Sequence, residues 1–305
     1  MSADVIFLES KNFFKRFIEI RRVIKDNNID LIWTWGGIES TYGILLSATS
    51  RVKHINGSIR HGIVRFNKHQ LWRMFVLHLS KHIVANSNAG LRANRIKRGS
   101  VLRNGIDQNF FIKPDKESSE IRKELGIESD VVLLTSVANL IPYKDYNTVL
   151  NALSIINAKG IKIHYIAIGE GFERRRLEEL VEHLSLSKTV SFIGNRLDIK
   201  DILYASDIFI HSSLGEGCSN AILEAMSAGL PIIASDTGGT GEVINDFVGR
   251  LFEFQNIEQL TNMILELICN KQLREKLAEN AKKKAVGEFS IDTMMFNYYH
   301  IVNRI

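Results

Sequence analysis

The chain has 305 residues, 45% hydrophobic and 24% charged, with 21 Gly, 3 Pro and 2 Cys, which excludes disordered, collagen-like and disulfide-stapled classes and suits two domains. No apolar run approaches the ~18 residues of a bilayer span, and the first ten residues lack the basic-then-apolar pattern of a secretory signal. The net charge of +5 is uneven: residues 1–115 hold 19 Lys and Arg against 8 Asp and Glu, residues 116–305 hold 20 against 26.

Taken in chain order, short β-branched runs alternate with longer amphipathic ones. A strand is predicted at Asp4–Leu8, then a helix over Lys11–Asn27, where Phe13, Phe17, Ile20 and Ile24 recur at steps of three or four. Next come a predicted strand at Asp30–Trp35, a helix to about Ser50, a strand at Val52–Ile59, a helix at Asn67–Ser80 and a strand at Lys81–Asn86. A short helix then leads to Ser100–Leu102 and to Asn104-Gly105-Ile106-Asp107. Gln108–Asp130 is polar, contains Pro114 and shows no strand, so the domain junction is placed there.

A second βα series follows. Strands are predicted at Val131–Val137, Lys162–Ile168, Thr189–Ile193, Asp207–His211 and Pro231–Ser235. Helices are predicted at Asp145–Gly160, after Gly171 to about Leu184, at Asp198–Ala205, from the turn 215–217 to Gly229, over Ile257–Val286, and at Asp292–Val302. This order predicts an α/β fold of two doubly wound, Rossmann-like domains, with a cleft at the carboxyl ends of their strands. The domains are set at 1–115 and 116–288, with 289–305 as a final helix.

Ser213–Gly229 carries the chemistry. The turn Gly215-Glu216-Gly217 follows a strand and precedes a helix with Ser219 as candidate N-cap. Free amides at a helix start, with the positive dipole end, suit a phosphate, and Gly217 lets backbone approach it. Glu216 and Glu224 flank that turn, and carboxylates there suit hydroxyls, such as those of a sugar and a ribose on either side of a diphosphate. The same residues also suit an ordinary capped helix with two surface glutamates. Gly169-Glu170-Gly171 resembles a dinucleotide fingerprint, but Arg174 occupies the third glycine position and no acid ends a following strand, so NAD is not expected. Cys218 and Cys269 stand far apart without further ligands at metal spacing. They read as reduced thiols of a cytoplasmic protein.

Glu216 and Glu224, eight apart, with Gly217 after the first and Ala225-Met226 after the second, resemble the E-x7-E signature of retaining glycosyltransferases of family four. NGID at 104–107, VANLIPYKD at 137–145, IGEG at 168–171, VSFIG at 190–194 and GLPIIASDTGG at 229–239 fall in that family's order. The resemblance implies a GT-B fold whose second domain holds a nucleotide-diphosphate sugar, with the last helix crossing back to the first. It implies that Glu216 meets the donor sugar, Glu224 the ribose, and the amides of Gly217, Cys218, Ser219 and Asn220 the diphosphate. Lys144 would neutralise the phosphates. Asn139 stands where the family often has Arg, and Gly169, Gly171, Asn195 and Arg196 fall on the donor side, the last two near the base. His61, in INGSIRHG, falls where the family often places a His at the donor–acceptor junction, with Arg60 beside it for an anionic acceptor. A lone His is also common as a plain surface residue, and His211, on an apolar strand, reads as structural.

The resemblance implies transfer with retention to a glycan or lipid-linked acceptor, in cell-surface polysaccharide synthesis, with no metal and no other cofactor. It also implies that the usual first strand, its Gly-rich loop and the next βα unit have no counterpart here, so that the chain is a truncated reading frame, one half of a two-chain transferase whose second subunit supplies them, or a minimal working variant. The alternative is a non-catalytic nucleotide-sugar-binding subunit. The basic first half, with Phe13, Phe14 and Phe17 among Lys11, Lys15, Arg16, Arg21 and Arg22, suits either a peripheral anionic membrane contact or a solvated helix whose Phe side chains pack inward. Scattered Lys and Arg without interleaved aromatics speak against nucleic acid.

Overall fold

The computed structural model describes residues 4–64 and 68–305. Its first sheet holds β1 (Leu31–Thr34), β2 (Lys53–Ile59), β3 (His82–Ala85) and β4 (Ser100–Val101), all parallel, in the order β1-β2-β3-β4. Helices Phe13–Asp26, Gly37–Thr49, Lys68–Leu79 and Asn88–Ala93 connect and flank these strands. The Asn67 start expected for the third helix lies outside the described residues.

The second sheet holds β5 (Val132–Val137), β6 (Ile163–Ile168), β7 (Val190–Phe192), β8 (Ile208–His211), β9 (Ile232–Ser235) and β10 (Gly249–Phe252), all parallel, in the order β10-β9-β8-β5-β6-β7. Its strands read as nearly continuous apolar runs because helices cover both faces. Ile208 and Ile210 enter one core with Leu134, Leu150 and Tyr165, while Phe209 between them enters the other with Ile222, Met226 and Phe289. The winding reverses between β5 and β8, so the loops leaving their carboxyl ends splay apart and open a crevice.

Residues 4–11 form no strand, correcting the expectation at Asp4–Leu8. Val5, Ile6 and Phe7 are 71%, 54% and 87% exposed. A β-branched run becomes a strand only with a neighbour to hydrogen-bond, and among the described residues these are paired with no strand. The polar junction contains a helix at Ser118–Glu124, whose Ile121 is buried and whose Arg122 pairs with Asp207 at 2.5 Å. The long helical region is two helices, Ile257–Cys269 and Lys271–Phe289, divided at Asn270, whose side chain accepts from the Leu273 amide at 2.9 Å. The last helix, Ile291–Val302, crosses back to the first sheet, where Tyr298 stacks on Trp33 at 5.3 Å and Met294 and Ile301 join Ile55, Val84 and Leu102.

The sheets face each other along a seam of backbone. His61 and Glu216 form an antiparallel bridge and the Gly62 amide donates to the Gly215 carbonyl at 3.3 Å, while on the second-sheet side the Gly239 amide donates to the Glu216 carbonyl at 2.8 Å. A Cβ on Gly62 would run into Gly238 Cα and stand 2.5 Å from the Glu216 oxygen, and one on Gly217 would stand 2.7 Å from the Arg60 oxygen. Glu242 ties the seam at one side by accepting from the amides of Asn88 at 2.9 Å and Ala89 at 2.6 Å.

Gly62→Ala should therefore lower stability by about 1–3 kcal/mol through overpacking. Gly287→Ala, in a helix with open space around it, should gain about 0.5–1 kcal/mol. Urea midpoints compare the two, and an unchanged midpoint for Gly62→Ala would contradict the close approach of the sheets.

Candidate active site

The crevice is built by two loops. The first leaves β5 and turns through Pro142–Lys144 to Asp145, whose backbone is left-handed (φ 40°, ψ 47°) and whose carboxylate accepts from Ser212 Oγ at 3.1 Å. The second leaves β8 and carries Ser213 to Asn220, and the Leu214 amide joins it to the Tyr143 carbonyl at 2.8 Å. Together they bring Lys144 Nζ onto Glu216 Oε1, with the two side chains only 13% and 16% exposed. Ser213 Oγ donates to the same oxygen at 3.2 Å, and His211 Nε2 lies 3.9 Å from it. Burial is the largest single influence on Glu216 and would raise its pKa, but the charge and hydrogen bond of Lys144, together with the nearby His211 and His61, outweigh it and hold the carboxyl below its usual range. Burial, reinforced by Lys144, pushes the enclosed His211 down to about 3, so its imidazole is neutral.

The helix Asn220–Ser227 starts on this turn. Ser219 occupies the N-cap position without a side-chain cap, so the first-turn amides face the crevice with no intrahelical acceptor and the dipole's positive end behind them. Asn104, from the NGID segment, reaches across the seam: its Nδ2 donates to the Cys218 carbonyl at 2.8 Å and to Asn220 Oδ1 at 2.6 Å, and its Oδ1 accepts from Arg60 at 2.8 Å. Cys218 itself is turned into the core beside Ile222, its thiol pushed up to about 11 by burial, so only its backbone belongs to the site. Glu224 is half-buried on that helix with no hydrogen-bond or ion-pair partner among the described residues, and burial raises its pKa to about 7.

Asn139 is exposed on the first loop. Gly169 and Gly171 serve that loop from below, since a Cβ on either would strike the carbonyl of Ala138 or Leu140. Gly169 also donates to the Gly194 carbonyl at 2.9 Å, which sets Asn195 and Arg196 at the crevice's far end. Both are exposed, and Arg196 grips Asp198 at 2.8 and 2.6 Å. On the side of the first sheet, His61, Arg60, Trp35, Ser58, Gln70 and Arg73 line a cavity of about 410 Å³ that Tyr143 and Gly215 close from the second. Arg60 lies over the Trp35 ring at 5.2 Å. The sequence reading missed Trp35, Arg73, the role of Ser213 and the linking role of Asn104; Asn104 and Ser213, each inside a stretch already singled out, carried a signal. Among the described residues no three His, Cys, Asp or Glu side chains gather as a metal site.

Residues 117–284, more than half of the chain, match the family model of glycosyl transferases group 1. The chain belongs to that family. The UDP-Gal:alpha-D-GlcNAc-diphosphoundecaprenol alpha-1,3-galactosyltransferase of Escherichia coli is 31% identical over 196 residues, 63% of this chain and 50% of that protein. The N,N'-diacetylbacillosaminyl-diphospho-undecaprenol alpha-1,3-N-acetylgalactosaminyltransferase of Campylobacter jejuni is 25% identical over 98% of this chain and 82% of its own. The chain thus spans half the length of the first relative and most of the second. Among solved structures, Anabaena Alr3699/HepE in complex with UDP superposes with a TM-score of 0.85 at 23% identity, over 95% of this chain and 82% of that one. The fold is that of the GT-B glycosyltransferases, two Rossmann-like domains facing across a crevice.

For this group 1 chain the unpartnered Glu224 has a stability consequence. Its folded pKa, about 7, lies above the unfolded value of 4.5. Ionisation therefore opposes folding, and stability falls as pH rises from 4.5 through 7. Glu224→Gln should raise stability by about 1–2 kcal/mol at pH 8, after discounting for partial exposure, and by little at pH 5. Urea melts of both proteins at both pH values check this; an equal gain at pH 5 and pH 8 would contradict it.

Proposed function

We propose that this chain transfers a sugar from a nucleotide-diphosphate sugar to a glycan or lipid-linked acceptor with retention of configuration. The observation that carries the reading is the pair Lys144–Glu216 at the winding reversal, beside free helix amides and opposite His61. In this reading the amides of Gly217–Asn220 and Lys144 hold the diphosphate, Glu216 accepts from the sugar hydroxyls, and Glu224 accepts from the ribose. Asn139, Asn195 and Arg196 border the donor. The bond between the anomeric carbon and the diphosphate oxygen breaks, the acceptor oxygen bonds to that carbon from the same face, and the departing diphosphate takes the acceptor's proton. Fixed donors aimed at the leaving group stabilise the charge that develops there. A UDP-linked donor is favoured by the fold shared with the UDP and UDP-glucose complexes of Anabaena Alr3699/HepE, and a lipid-linked acceptor by the diphosphoundecaprenol substrates in the relatives' names.

The test is UDP binding and UDP-sugar turnover in three variants. Lys144→Ala should lose about 3 kcal/mol of transition-state stabilisation, roughly 100-fold or more in kcat. Glu224→Ala should weaken UDP binding, since ribose contacts act in ground and transition states alike. Glu216→Ala should lower turnover without weakening UDP, because it frees Lys144 for the phosphates. Binding of nucleotide sugars with no transfer or hydrolysis would favour the non-catalytic alternative, and equal losses of affinity in both Glu variants would refute the division of roles.

The membrane contact fits the same reading. Helix Phe13–Asp26 turns Phe17, Ile20 and Ile24 inward and stacks Phe13 on Tyr42 at 4.5 Å, but leaves Phe14 76% and Ile18 57% exposed among Lys11, Lys15, Arg21 and Arg22. Among the described residues no helix is long and apolar enough to cross a membrane, so attachment by this surface would be peripheral. Each basic residue near an anionic leaflet contributes about 1 kcal/mol and is screened by salt. Sedimentation with anionic vesicles should fall at high salt; binding indifferent to lipid charge and salt would refute the electrostatic account.

A further inference from the structure

The functional reading above, on which this inference rests, asks two things of one ion pair. Lys144 must neutralise the diphosphate, yet in this structure it is spent on Glu216. When phosphate takes Lys144, Glu216 keeps only Ser213 Oγ, at 3.2 Å, in a place where burial favours the neutral acid. The groups facing Glu216 are Lys144 from the loop after β5, His211 from the end of β8 and His61 from the first sheet. Of these, His211 is the enclosed one. Its side chain is 2% exposed, and its Nε2 points toward Glu216 from 3.9 Å with no hydrogen-bond partner among the described residues.

A buried donor without an acceptor is costly, and the oxygen that Lys144 now occupies lies 3.9 Å away. We propose that His211 is a positioning residue that takes over Glu216: its Nε2–H donates to the carboxylate when Lys144 turns to the diphosphate, and so keeps Glu216 ionised and aimed at the sugar. A carboxylate facing Nε2 favours the tautomer with its proton there. His211 packs near Phe209, ring centroids 6.3 Å apart and planes 14° from parallel, so the ring is held and the movement falls to Glu216, by about the 1 Å that separates 3.9 Å from a hydrogen bond. No proton moves between the two groups, because burial, the largest influence on the imidazole, holds it neutral. Such an arrangement lets a binding site exchange one partner of a buried carboxylate for another without ever leaving it bare.

The experiment is calorimetric titration of UDP at pH 6.5 in buffers of different ionisation enthalpy, on the wild-type chain, His211→Phe and His211→Gln. Glu224 contributes equally in all three, so the readout is the difference between them. His211→Phe should take up more protons than wild type on binding UDP, by as much as one per UDP, and the acid limb of its UDP-glucose hydrolysis profile should move to higher pH. His211→Gln, which keeps a donor, should restore both. Equal proton uptake in all three proteins would overturn the proposal. If His211→Phe does not fold, ¹⁵N-histidine spectra of the wild type decide: a neutral Nε2–H tautomer whose proton moves downfield on adding UDP supports the hand-over, and a charged ring or an Nδ1–H tautomer overturns it. A wild-type chain that binds none of UDP, GDP, ADP or TDP would overturn the functional reading, and this inference with it. A chain that binds and turns over UDP-glucose while His211→Phe keeps the wild-type pH profile would overturn this inference alone.

Discussion

Backbone meets backbone where the two sheets face each other, and the site exists because glycines permit it. Gly62, Gly217 and Gly238 stand where a Cβ would crowd a carbonyl or Cα across the seam. Side chains at those positions would force the sheets apart, and His61 could not pair its backbone with Glu216. The seam also sets what reaches across it. Asn104 links Arg60 to the Cys218 carbonyl and to Asn220, and Glu242 closes the far side by capping the amides of Asn88 and Ala89. The last helix adds an apolar tie, Tyr298 on Trp33, on the first sheet.

Within that frame the chemistry is one of unequal carboxylates. Glu216 and Glu224 lie on one short stretch of chain, both part-buried, and their surroundings drive them in opposite directions. Glu216 has a lysine and a serine and stays ionised; the Glu224 carboxylate has no partner among the described residues, and burial carries it toward neutrality. A ligand rich in hydroxyls resolves the second case by donating to the carboxylate, and an anion resolves the first by drawing Lys144 away. In the proposed reading both changes come from one molecule, a nucleotide sugar, which carries a diphosphate between two sets of hydroxyls.

Much of this was legible in the residue order. The alternation of apolar strands and amphipathic helices exposed the two parallel sheets, because strands buried on both faces leave long apolar runs. Glu216 on a Gly-rich turn, with Glu224 in the helix that follows, singled out the stretch that the structure sets on the crevice, because such a turn needs glycine and a helix start. What escaped the sequence depends on partners distant in the chain. Asp4–Leu8 has strand composition but no neighbour to pair with. β10, four residues long, becomes a strand only because β9 lies beside it. The break at Asn270 is the exception, a local capping event within an otherwise helical pattern. Trp35 and Arg73 enter the cavity wall through packing that periodicity does not encode, and the Lys144–Glu216 pair joins residues 72 apart in the sequence.

The central claim is that the crevice binds a nucleotide diphosphate by taking Lys144 from Glu216. A crystal structure with UDP tests it most directly, through the position of Lys144 Nζ. The account predicts Nζ within hydrogen-bond distance of a phosphate oxygen, with the diphosphate seated on the amides of Gly217–Asn220 and the ribose hydroxyls on Glu224. UDP bound elsewhere, or bound there with Lys144 still on Glu216, would contradict it.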